Sequence, residues 1–207
     1  MIGGYGQYDA CAQSHNSLWA TAPEAAKTVL NVRCRYPLRQ KRTRIFSVLN
    51  GGRSGSTSTP VHPDIICSIT DMMPVATGSV DAIWSSHNLE HLQRHEVPLA
   101  LREFFTVPKP RGLLLLELPN LGQVPHLVVE NRLEDRAYNS SSGPITPLDM
   151  IFGHLASLAR GNSFMTHHTG FAARTLHRAL VEAGFTEVTL REGTSFDLWA
   201  TAYRPAS

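Results

Sequence analysis

Cysteine is scarce in this sequence, and its spacing excludes two kinds of architecture. Cys11, Cys34 and Cys67 are the only cysteines among 207 residues. An odd number without a Cys-x-x-Cys pair argues against a disulfide framework and against a zinc ribbon. Disulfides persist in oxidising compartments, so a protein without a disulfide framework fits a reducing compartment. We therefore expect a cytoplasmic protein.

Long apolar runs are absent as well. No segment approaches the roughly eighteen consecutive apolar residues of a membrane span. The first residues, Met-Ile-Gly-Gly-Tyr-Gly-Gln-Tyr-Asp, have neither the basic start nor the apolar stretch of a signal peptide. The sequence thus predicts no association with a membrane.

A strong net charge is the third missing feature. The chain has 19 basic and 17 acidic residues and a net charge of +2, which selects no class of partner. Six of the bases lie in residues 33–44, which contain no acid and only one aromatic residue, Tyr36. Surfaces that bind single-stranded nucleic acids combine positive charge with several aromatic side chains. We interpret residues 33–44 as a solvated basic surface, with phosphate binding as the alternative.

Short apolar runs alternate with helical spacing from about residue 28 onwards. The runs at 28–32 and 113–118 are typical of buried strands. Such alternation predicts an α/β fold with a parallel sheet and crossover connections. We assign residues 1–24 to an N-terminal arm and residues 25–207 to one domain.

Helical spacing predicts the positions of the helices. Residues 175–183 place apolar side chains on one face and are followed by Gly184, a common residue just past a helix end. Pro98 must kink a helix at 89–107 or lie in the first turn of a second helix. Further helices are predicted at 124–136 and 150–159, with a loop at 138–146.

The densest motif lies in residues 81–120. It begins Asp-Ala-Ile-Trp-Ser-Ser-His-Asn-Leu-Glu-His, continues Ala-Leu-Arg-Glu-Phe-Phe-Thr-Val-Pro-Lys-Pro-Arg-Gly, and ends Leu-Leu-Leu-Leu-Glu-Leu-Pro-Asn. The pattern indicates a strand ending in polar residues, a helix, a Pro/Gly turn and a second buried strand. This order resembles the second half of a class I S-adenosylmethionine-dependent methyltransferase of the type 11-like group.

The resemblance implies both a fold and a cofactor. Proteins of this family have a Rossmann-like seven-stranded sheet, mostly parallel with an antiparallel last strand, and use S-adenosylmethionine. In this chain, predicted strands at 186–191 and 196–203 would form the closing antiparallel pair. Small molecules bind such sheets at the carboxyl ends of the strands.

The chain departs from the family on the methionine and ribose sides of the cofactor. The family's glycine-rich turn corresponds to Arg33, Cys34 and Arg35. Glycine suits that turn because the backbone adopts positive φ and approaches the cofactor closely. A non-glycine residue there costs roughly 1–2 kcal/mol. Thr57 replaces the acid that binds the ribose hydroxyls.

The remaining cofactor positions keep the family pattern. Asp71 is similar to the acid that faces the adenine amino group, although a turn-capping role before Pro74 is the alternative. Met72 is similar to the apolar residue that packs on the ring. Ser86 and His87 follow a strand and open a helix, which places them at the cofactor site. By its position, His87 is also the candidate catalytic base.

Residues 142–171 are predicted to cover the site. Segments of this kind, inserted between the fifth strand and the last helix, commonly carry substrate contacts. Phe164, His167 and His168 are the candidates for lining an acceptor pocket, with a structural cap as the alternative. The acceptor would be a small molecule or a glycan-type compound.

The histidines allow a second interpretation. His87-Asn-Leu-Glu-His91 matches His-x-x-Glu-His, the signature of inverted zinc proteases, and His95 continues the helical spacing. A zinc site of that kind lies within a helix and needs a further ligand. Here the motif directly follows a strand and shows no evident third ligand. The sequence therefore predicts no bound metal.

Two functions remain open. Methyl transfer depends on in-line positioning of nucleophile and methyl group, so no catalytic triad is required. The alternative is a degenerate family member that keeps the fold and acts as a binding or regulatory module. The replacement of glycines by Arg33, Arg35 and Arg111, and of an acid by Thr57, supports this alternative.

Overall fold

Seven strands of the described chain form one sheet. The computed structural model describes residues 28–33, 44–50 and 65–207, with side chains for 28–32 and 65–207. The strands of the sheet are β1 (Thr28–Arg33), β2 (Arg44–Asn50), β3 (Ile65–Cys67), β4 (Val80–Ser86), β5 (Pro108–Pro119), β8 (Thr186–Glu192) and β9 (Asp197–Tyr203).

The described helices are short, and several are shorter than the spacing predicts. They are α1 (Val97–Thr106), α2 (Pro125–Val129), α3 (Pro147–Phe152), α4 (Leu155–Ala159) and α5 (Ala173–Glu182). The predicted helix at 89–107 is a 3₁₀ turn at Leu89–His91 followed by α1, with Pro98 in the first turn of α1. Proline suits that position because the first turn needs no N–H from it. None of the described helices is long and apolar enough to cross a membrane.

Three further predictions for the middle of the chain differ from the structure. The predicted helix at 124–136 extends only over α2, and the predicted loop at 138–146 contains a hairpin of β6 (Tyr138–Ser140) and β7 (Gly143–Ile145). The predicted helix at 150–159 is divided at Gly153, which has a φ of 98°. That angle suits glycine and ends α3 before α4 begins.

The strand order is β3-β2-β1-β4-β5-β9-β8. β4 is parallel to both β1 and β5, whereas β2 is antiparallel to both β1 and β3. β9 is antiparallel to both β5 and β8. A mixed α/β sheet therefore confirms the predicted class. The prediction of a mostly parallel sheet is wrong, because most pairs of neighbouring strands in the sheet are antiparallel.

The length of one connection explains the reversal at β2. Residues 34–43 are the ten residues between β1 and β2. A parallel neighbour requires a crossover of about a dozen residues or more, whereas antiparallel neighbours can follow a short connection. The chain therefore returns beside β1 in the opposite direction.

The register aligns the carboxyl ends of the three central strands. Arg33 at the end of β1 pairs with Ser86 at the end of β4, and Ser86 pairs with Glu117 on β5. Glu117 in turn pairs with Trp199 on β9. This row of residues crosses the sheet at the carboxyl ends of the three central strands.

The main core lies between one face of the sheet and helices α1 and α5. Leu30, Ile83 and Leu114 are completely buried on the sheet side, and Phe104 and Leu180 are completely buried on the helices. Each of these side chains stabilises the fold by about 1.5–3 kcal/mol relative to an exposed one. The helices thereby hold β4 and β5 rigidly, which fixes the polar residues at their ends.

Candidate active site

The end of β4 carries a small polar network with β5. The hydroxyl of Ser86 donates a hydrogen bond to Oε2 of Glu117 at 2.8 Å. The backbone N–H of His87 donates to the carbonyl oxygen of Glu117 at 2.9 Å. Glu117 is 7% exposed, and His87 Nε2 lies 3.9 Å from its Oε1. Two strand ends therefore present hydroxyl, imidazole and carboxylate groups together.

His87 occupies a strained backbone conformation at the junction that follows β4. Its φ is 51°, a left-handed value that costs a non-glycine residue roughly 1–2 kcal/mol. Such residues concentrate at functional sites, where the surrounding structure holds them. Its Nδ1 lies 3.1 Å from Oε1 of Glu90, and its side chain is 45% exposed. His87 thus connects solvent with the buried carboxylate.

The environment keeps His87 protonated at neutral pH. Burial of part of the ring lowers its pKa, but the hydrogen bond to Glu90 and the charges of Glu90, Glu117 and Asp197 raise it to about 9. A positively charged ring therefore lies between two carboxylates at the end of β4. In this state His87 holds a proton and does not accept one.

Glu90 is a buried carboxylate surrounded by histidines. It is 1% exposed, and burial by itself raises its pKa. The hydrogen bond from His87 and the proximity of His91, His87 and His167 lower the pKa to about 2. Its Oε2 has no hydrogen-bond partner within the described structure. Buried polar atoms without a partner are uncommon and require an explanation.

Asn88 ties β1 to the end of β4. Its Nδ2 lies within hydrogen-bonding distance of the carbonyl oxygen of Val32 at 3.0 Å and of the carbonyl oxygen of Ser86 at 2.9 Å. The Oγ of Ser85 lies 3.0 Å from the same nitrogen. Asn88 is 1% exposed. The position of the β1 carboxyl end relative to Ser86 therefore depends on this side chain.

The segment at 163–169 contacts the histidine motif. His168 and Thr169 donate their backbone N–H groups to the carbonyl oxygen of Glu90 at 2.8 and 3.2 Å. The rings of His91 and His167 are 5.0 Å apart, edge to face. Residues 76 positions apart in the sequence are therefore neighbours here. Of the three predicted acceptor-lining residues, the structure brings His167 into the buried cluster, while Phe164 and His168 lie exposed.

Asp71 and Met72 lie at a different part of the sheet edge. They follow β3, which is three strand spacings or roughly 14 Å from β4. Asp71 is exposed, whereas Met72 is completely buried in the main core and donates its backbone N–H to Glu103 Oε2 at 2.9 Å. A surface groove lies between residues 71–77 and the end of α1. Cofactor binding by Asp71 and Met72 remains a prediction.

Four predicted cofactor positions fall outside the side chains that the structure describes. They are Arg33, Cys34, Arg35 and Thr57, and of these only the backbone of Arg33 is described. Arg33 forms the end of β1, level with Ser86. The predicted arm at 1–24 also lies outside the described residues.

Glu117 is the functional candidate that sequence reasoning missed. It interrupts the aliphatic run of β5, where a buried strand normally carries apolar residues. That interruption was the available signal. Its partners come from β4, so its role became visible only with the register between the two strands.

Residues 51–116 match the profile of a family described as methyltransferase domain. This range contains β3, β4, α1 and most of β5, together with Asp71, Ser86 and His87. This segment is similar to the methyltransferase domain. The match confirms the resemblance that the sequence motif indicated. A comparison with curated protein sequences gives no match.

Several solved methyltransferase structures are similar to this chain at low identity. The 1,6-didemethyltoxoflavin-N1-methyltransferase of Burkholderia thailandensis, solved with 1,6-didemethyltoxoflavin and S-adenosylhomocysteine, is 12% identical, with a TM-score of 0.43 over 67% of this chain and 49% of its own. An O-methyltransferase family protein of the same organism is 15% identical, with a TM-score of 0.41 over 68% of this chain and 35% of its own.

Human N-acetylserotonin methyltransferase, solved in complex with SAM, is 17% identical, with a TM-score of 0.39 over 61% of this chain and 30% of its own. The chain therefore spans between 30% and 49% of the length of these three structures.

Proposed function

We propose that the protein transfers the methyl group of S-adenosylmethionine to a small-molecule or glycan-type acceptor. The observation that carries the proposal is the methyltransferase-domain match over residues 51–116, which contain the carboxyl end of β4 and β5 as far as Leu116. S-adenosylmethionine is the methyl donor that this family match supports.

The described residues fit such a cofactor in part. Asp71 presents an exposed carboxylate beside a groove and would hold the adenine amino group. Asn31 is 7% exposed on β1, and its Oδ1 has no hydrogen-bond partner within the described structure. This oxygen would accept a hydrogen bond from a polar group near the β1 end. Ser86 and His87 would line the side of the methyl group.

When bound, S-adenosylmethionine would supply an electrophilic methyl group for transfer to the acceptor. An N–H or O–H acceptor also releases a proton. Because His87 already holds a proton at neutral pH, we assign it to orienting the carboxylates of Glu90 and Glu117. Glu117 lies at the same strand ends and is our candidate for receiving the proton.

The acceptor would lie between the strand ends and residues 147–171. His167 is our candidate for the inner wall of that pocket, and Phe164 and His168 are candidates for its outer rim. The exposed ring of Phe164 offers an apolar surface for an aromatic or other apolar acceptor. A structural cap would place the same residues without contacting a ligand.

Calorimetric titration of the full chain with S-adenosylmethionine tests the proposal. Loss of a charge-assisted hydrogen bond costs about 1.5–3 kcal/mol, so Asp71→Ala should weaken binding by at least about tenfold. Asp135→Ala removes an exposed carboxylate far along the chain from β3 and should leave affinity unchanged. A folded parent protein that produces no heat of binding contradicts the proposal.

A binding module without catalysis is the second candidate function. Arg111, which stands at a turn-glycine position of the family, has a φ of 64°. The glycine-type turn is therefore retained although the residue has changed. Retained geometry with altered residues favours a conserved fold whose activity has been lost. Binding of S-adenosylmethionine without methyl transfer to any acceptor of a small-molecule panel would support the module.

A further inference from the structure

Glu90, His91 and His167 form a largely buried cluster of possible metal ligands. One possible ligand atom from each residue lies within 4.8 Å of the others. Glu90 and His91 are buried, and His167 is half-buried. Two imidazoles and one carboxylate are a ligand set that proteins use for zinc and for other first-row divalent metals.

The tautomer of both imidazoles suits metal binding. His91 Nδ1 lies 3.0 Å from the carbonyl oxygen of Thr166, and His167 Nδ1 lies 2.9 Å from the carbonyl oxygen of Met150. A carbonyl oxygen only accepts hydrogen bonds, so each Nδ1 carries the hydrogen. In the neutral ring the lone pair then resides on Nε2. Metal-ligating histidines commonly show this arrangement, in which a backbone carbonyl fixes the ring.

Glu90 provides the second, independent observation. Its carboxylate is 1% exposed, Oε1 pairs with His87, and Oε2 has no hydrogen-bond partner within the described structure. An unpaired oxygen of a buried carboxylate is costly, and a cation bound to it would remove that cost. His87 is not a member of the cluster.

We propose that Glu90, His91 and His167 bind one divalent transition metal ion, for which zinc is the probe. Ligands at about 2.0–2.2 Å around a tetrahedral ion lie roughly 3.3 Å from one another. The three ligand atoms lie within 4.8 Å of one another, so they need to approach by at most about 1.5 Å. A fourth position would remain for water or another ligand.

The metal would join two parts of the chain. Glu90 and His91 belong to the turn after β4, whereas His167 belongs to the segment that covers the strand ends. The ion would therefore hold residues 163–168 against the turn. The expectation from the sequence, that no metal binds, depended on the lack of a third ligand for His87 and His91. The structure replaces His87 by His167 as a candidate ligand.

The test is calorimetric titration of the full chain with zinc chloride, after removal of any polyhistidine tag and of bound metal by a chelator. We expect one zinc ion per chain, with the same stoichiometry in elemental analysis. His167→Ala and His91→Ala should weaken binding by more than about tenfold, because even partners outside the ligand set contribute 10–100-fold.

His95→Ala is the matched control, since His95 is exposed and follows His91 by four residues. It should bind zinc like the parent protein. His167→Gln replaces His167→Ala if circular dichroism shows that the alanine variant is unfolded. The proposal is overturned if the folded parent binds no stoichiometric zinc, or if the His167 variant binds it as tightly as the parent.

The result is independent of methyl transfer. Zinc binding without S-adenosylmethionine binding would support the metal site and contradict the proposed function. Binding of S-adenosylmethionine without zinc binding would support the proposed function and contradict the metal site. The two titrations therefore distinguish the failure of one proposal from the failure of the other.

Discussion

His87 and Arg111 are non-glycine residues with positive φ angles, 51° and 64° respectively. Each conformation costs roughly 1–2 kcal/mol and persists because the surrounding structure holds it. The backbone N–H of His87 bonds to Glu117, and that of Arg111 bonds to the carbonyl oxygen of Arg204. His87 lies within the candidate site, whereas Arg111 is exposed near the opposite ends of the strands.

Replacing Arg111 by glycine should stabilise the protein. Glycine removes the left-handed strain of roughly 1–2 kcal/mol, and its greater freedom in the unfolded chain costs about 0.5–1 kcal/mol. The hydrogen bond from the backbone N–H to Arg204 is retained. We expect Arg111→Gly to raise the free energy of unfolding by about 0.5–1 kcal/mol in urea denaturation.

Arg191→Gly is the control for this experiment. Arg191 is also exposed and lies in β8, but its φ is not positive. The substitution adds only the entropic cost of glycine and should lower stability by about 0.5–1 kcal/mol. Destabilisation of similar size at both positions would show that Arg111 is not strained.

At the scale of the element, the turn between α3 and α4 determines how residues 163–168 approach the rest of the molecule. Gly153 has a φ of 98°, and a Cβ built there would lie 1.8 Å from the carbonyl oxygen of Met165. The backbone at Met165 therefore occupies the space that a side chain at position 153 would need. Only glycine permits this approach without displacement of the backbone at Met165 and His167.

Gly153→Ala should destabilise the protein and move residues 163–168. Gly161 offers a close control, because it also has a positive φ, 86°, while a Cβ there would meet nothing within 4 Å. Gly161→Ala should cost about 1–2 kcal/mol from backbone strain alone. We expect Gly153→Ala to lower the melting temperature more than Gly161→Ala does. Gly153→Ala should also weaken zinc binding, whereas Gly161→Ala should leave the zinc affinity unchanged.

Equal melting temperatures for the two variants would contradict the close approach. Zinc binding that is unchanged in Gly153→Ala would show that His167 does not depend on the turn. Thermal unfolding and zinc titration of the same preparations provide both readouts.

Asp149 holds α3 and α4 together. Its Oδ2 accepts from the backbone N–H of Thr146 at 2.9 Å, and its Oδ1 accepts from the N–H of Leu155 at 2.8 Å. The hydroxyl oxygen of Thr146 in turn accepts from the N–H of Asp149 at 3.2 Å, completing a capping box. One carboxylate thus supports the starts of two helices.

The stabilisation by Asp149 should depend on pH. Burial raises its pKa, but hydrogen bonds from Thr146 and Leu155 and the proximity of His154 outweigh this effect and lower it. A lowered pKa stabilises the folded state above the unfolded value, near 3.9, and the effect disappears as pH falls through the folded value. Asp149→Asn should therefore cost about 1–2 kcal/mol at pH 7 and progressively less below about pH 4.

Urea denaturation of the parent and of Asp149→Asn at pH 7 and at pH 3 checks this prediction. Asp135→Asn changes an exposed carboxylate and serves as the control. Its stability difference from the parent should be within about 0.5 kcal/mol at pH 7. A deficit of Asp149→Asn that stays constant down to pH 3 would exclude an ionised carboxylate as its source.

For the whole molecule, the candidate site depends on strands that meet from separate parts of the chain. β1, β4 and β5 end at one edge, and their order in the sheet places Arg33, Ser86 and Glu117 in one row. The expected contribution of Arg33 to cofactor binding depends on this assembled edge. It can be measured only with all the strands in place.

Restoring the family residues should strengthen cofactor binding. The triple variant Arg33→Gly, Arg35→Gly and Thr57→Asp introduces the glycines of the family turn and the acid that the resemblance assigns to the ribose hydroxyls. We expect weak binding of S-adenosylmethionine by the parent and at least about tenfold tighter binding by the variant, which corresponds to about 1.4 kcal/mol. A folded variant that binds no better would show that the alignment of the first two strands is wrong.

The sequence by itself determined the class of the fold and the resemblance of its central segment to a methyltransferase domain. β1 and β5 contain apolar runs, and α5 has apolar side chains on one face. These patterns are local in the sequence, and burial of the apolar side chains stabilises the elements that they predict. The motif at Ser86 and His87 is likewise contiguous, so it can be recognised from the sequence alone.

Tertiary structure alone decided which groups meet. The direction of β2 became visible only in its pairing beside β1, and Glu117 acquired its role through the register with Ser86. Glu90 and His167 became neighbours only when residues 163–168 folded back onto the turn after β4. Spacing along a chain reports contacts within one helix or strand. Contacts across long separations depend on the packing of the whole sheet, and no local pattern encodes them.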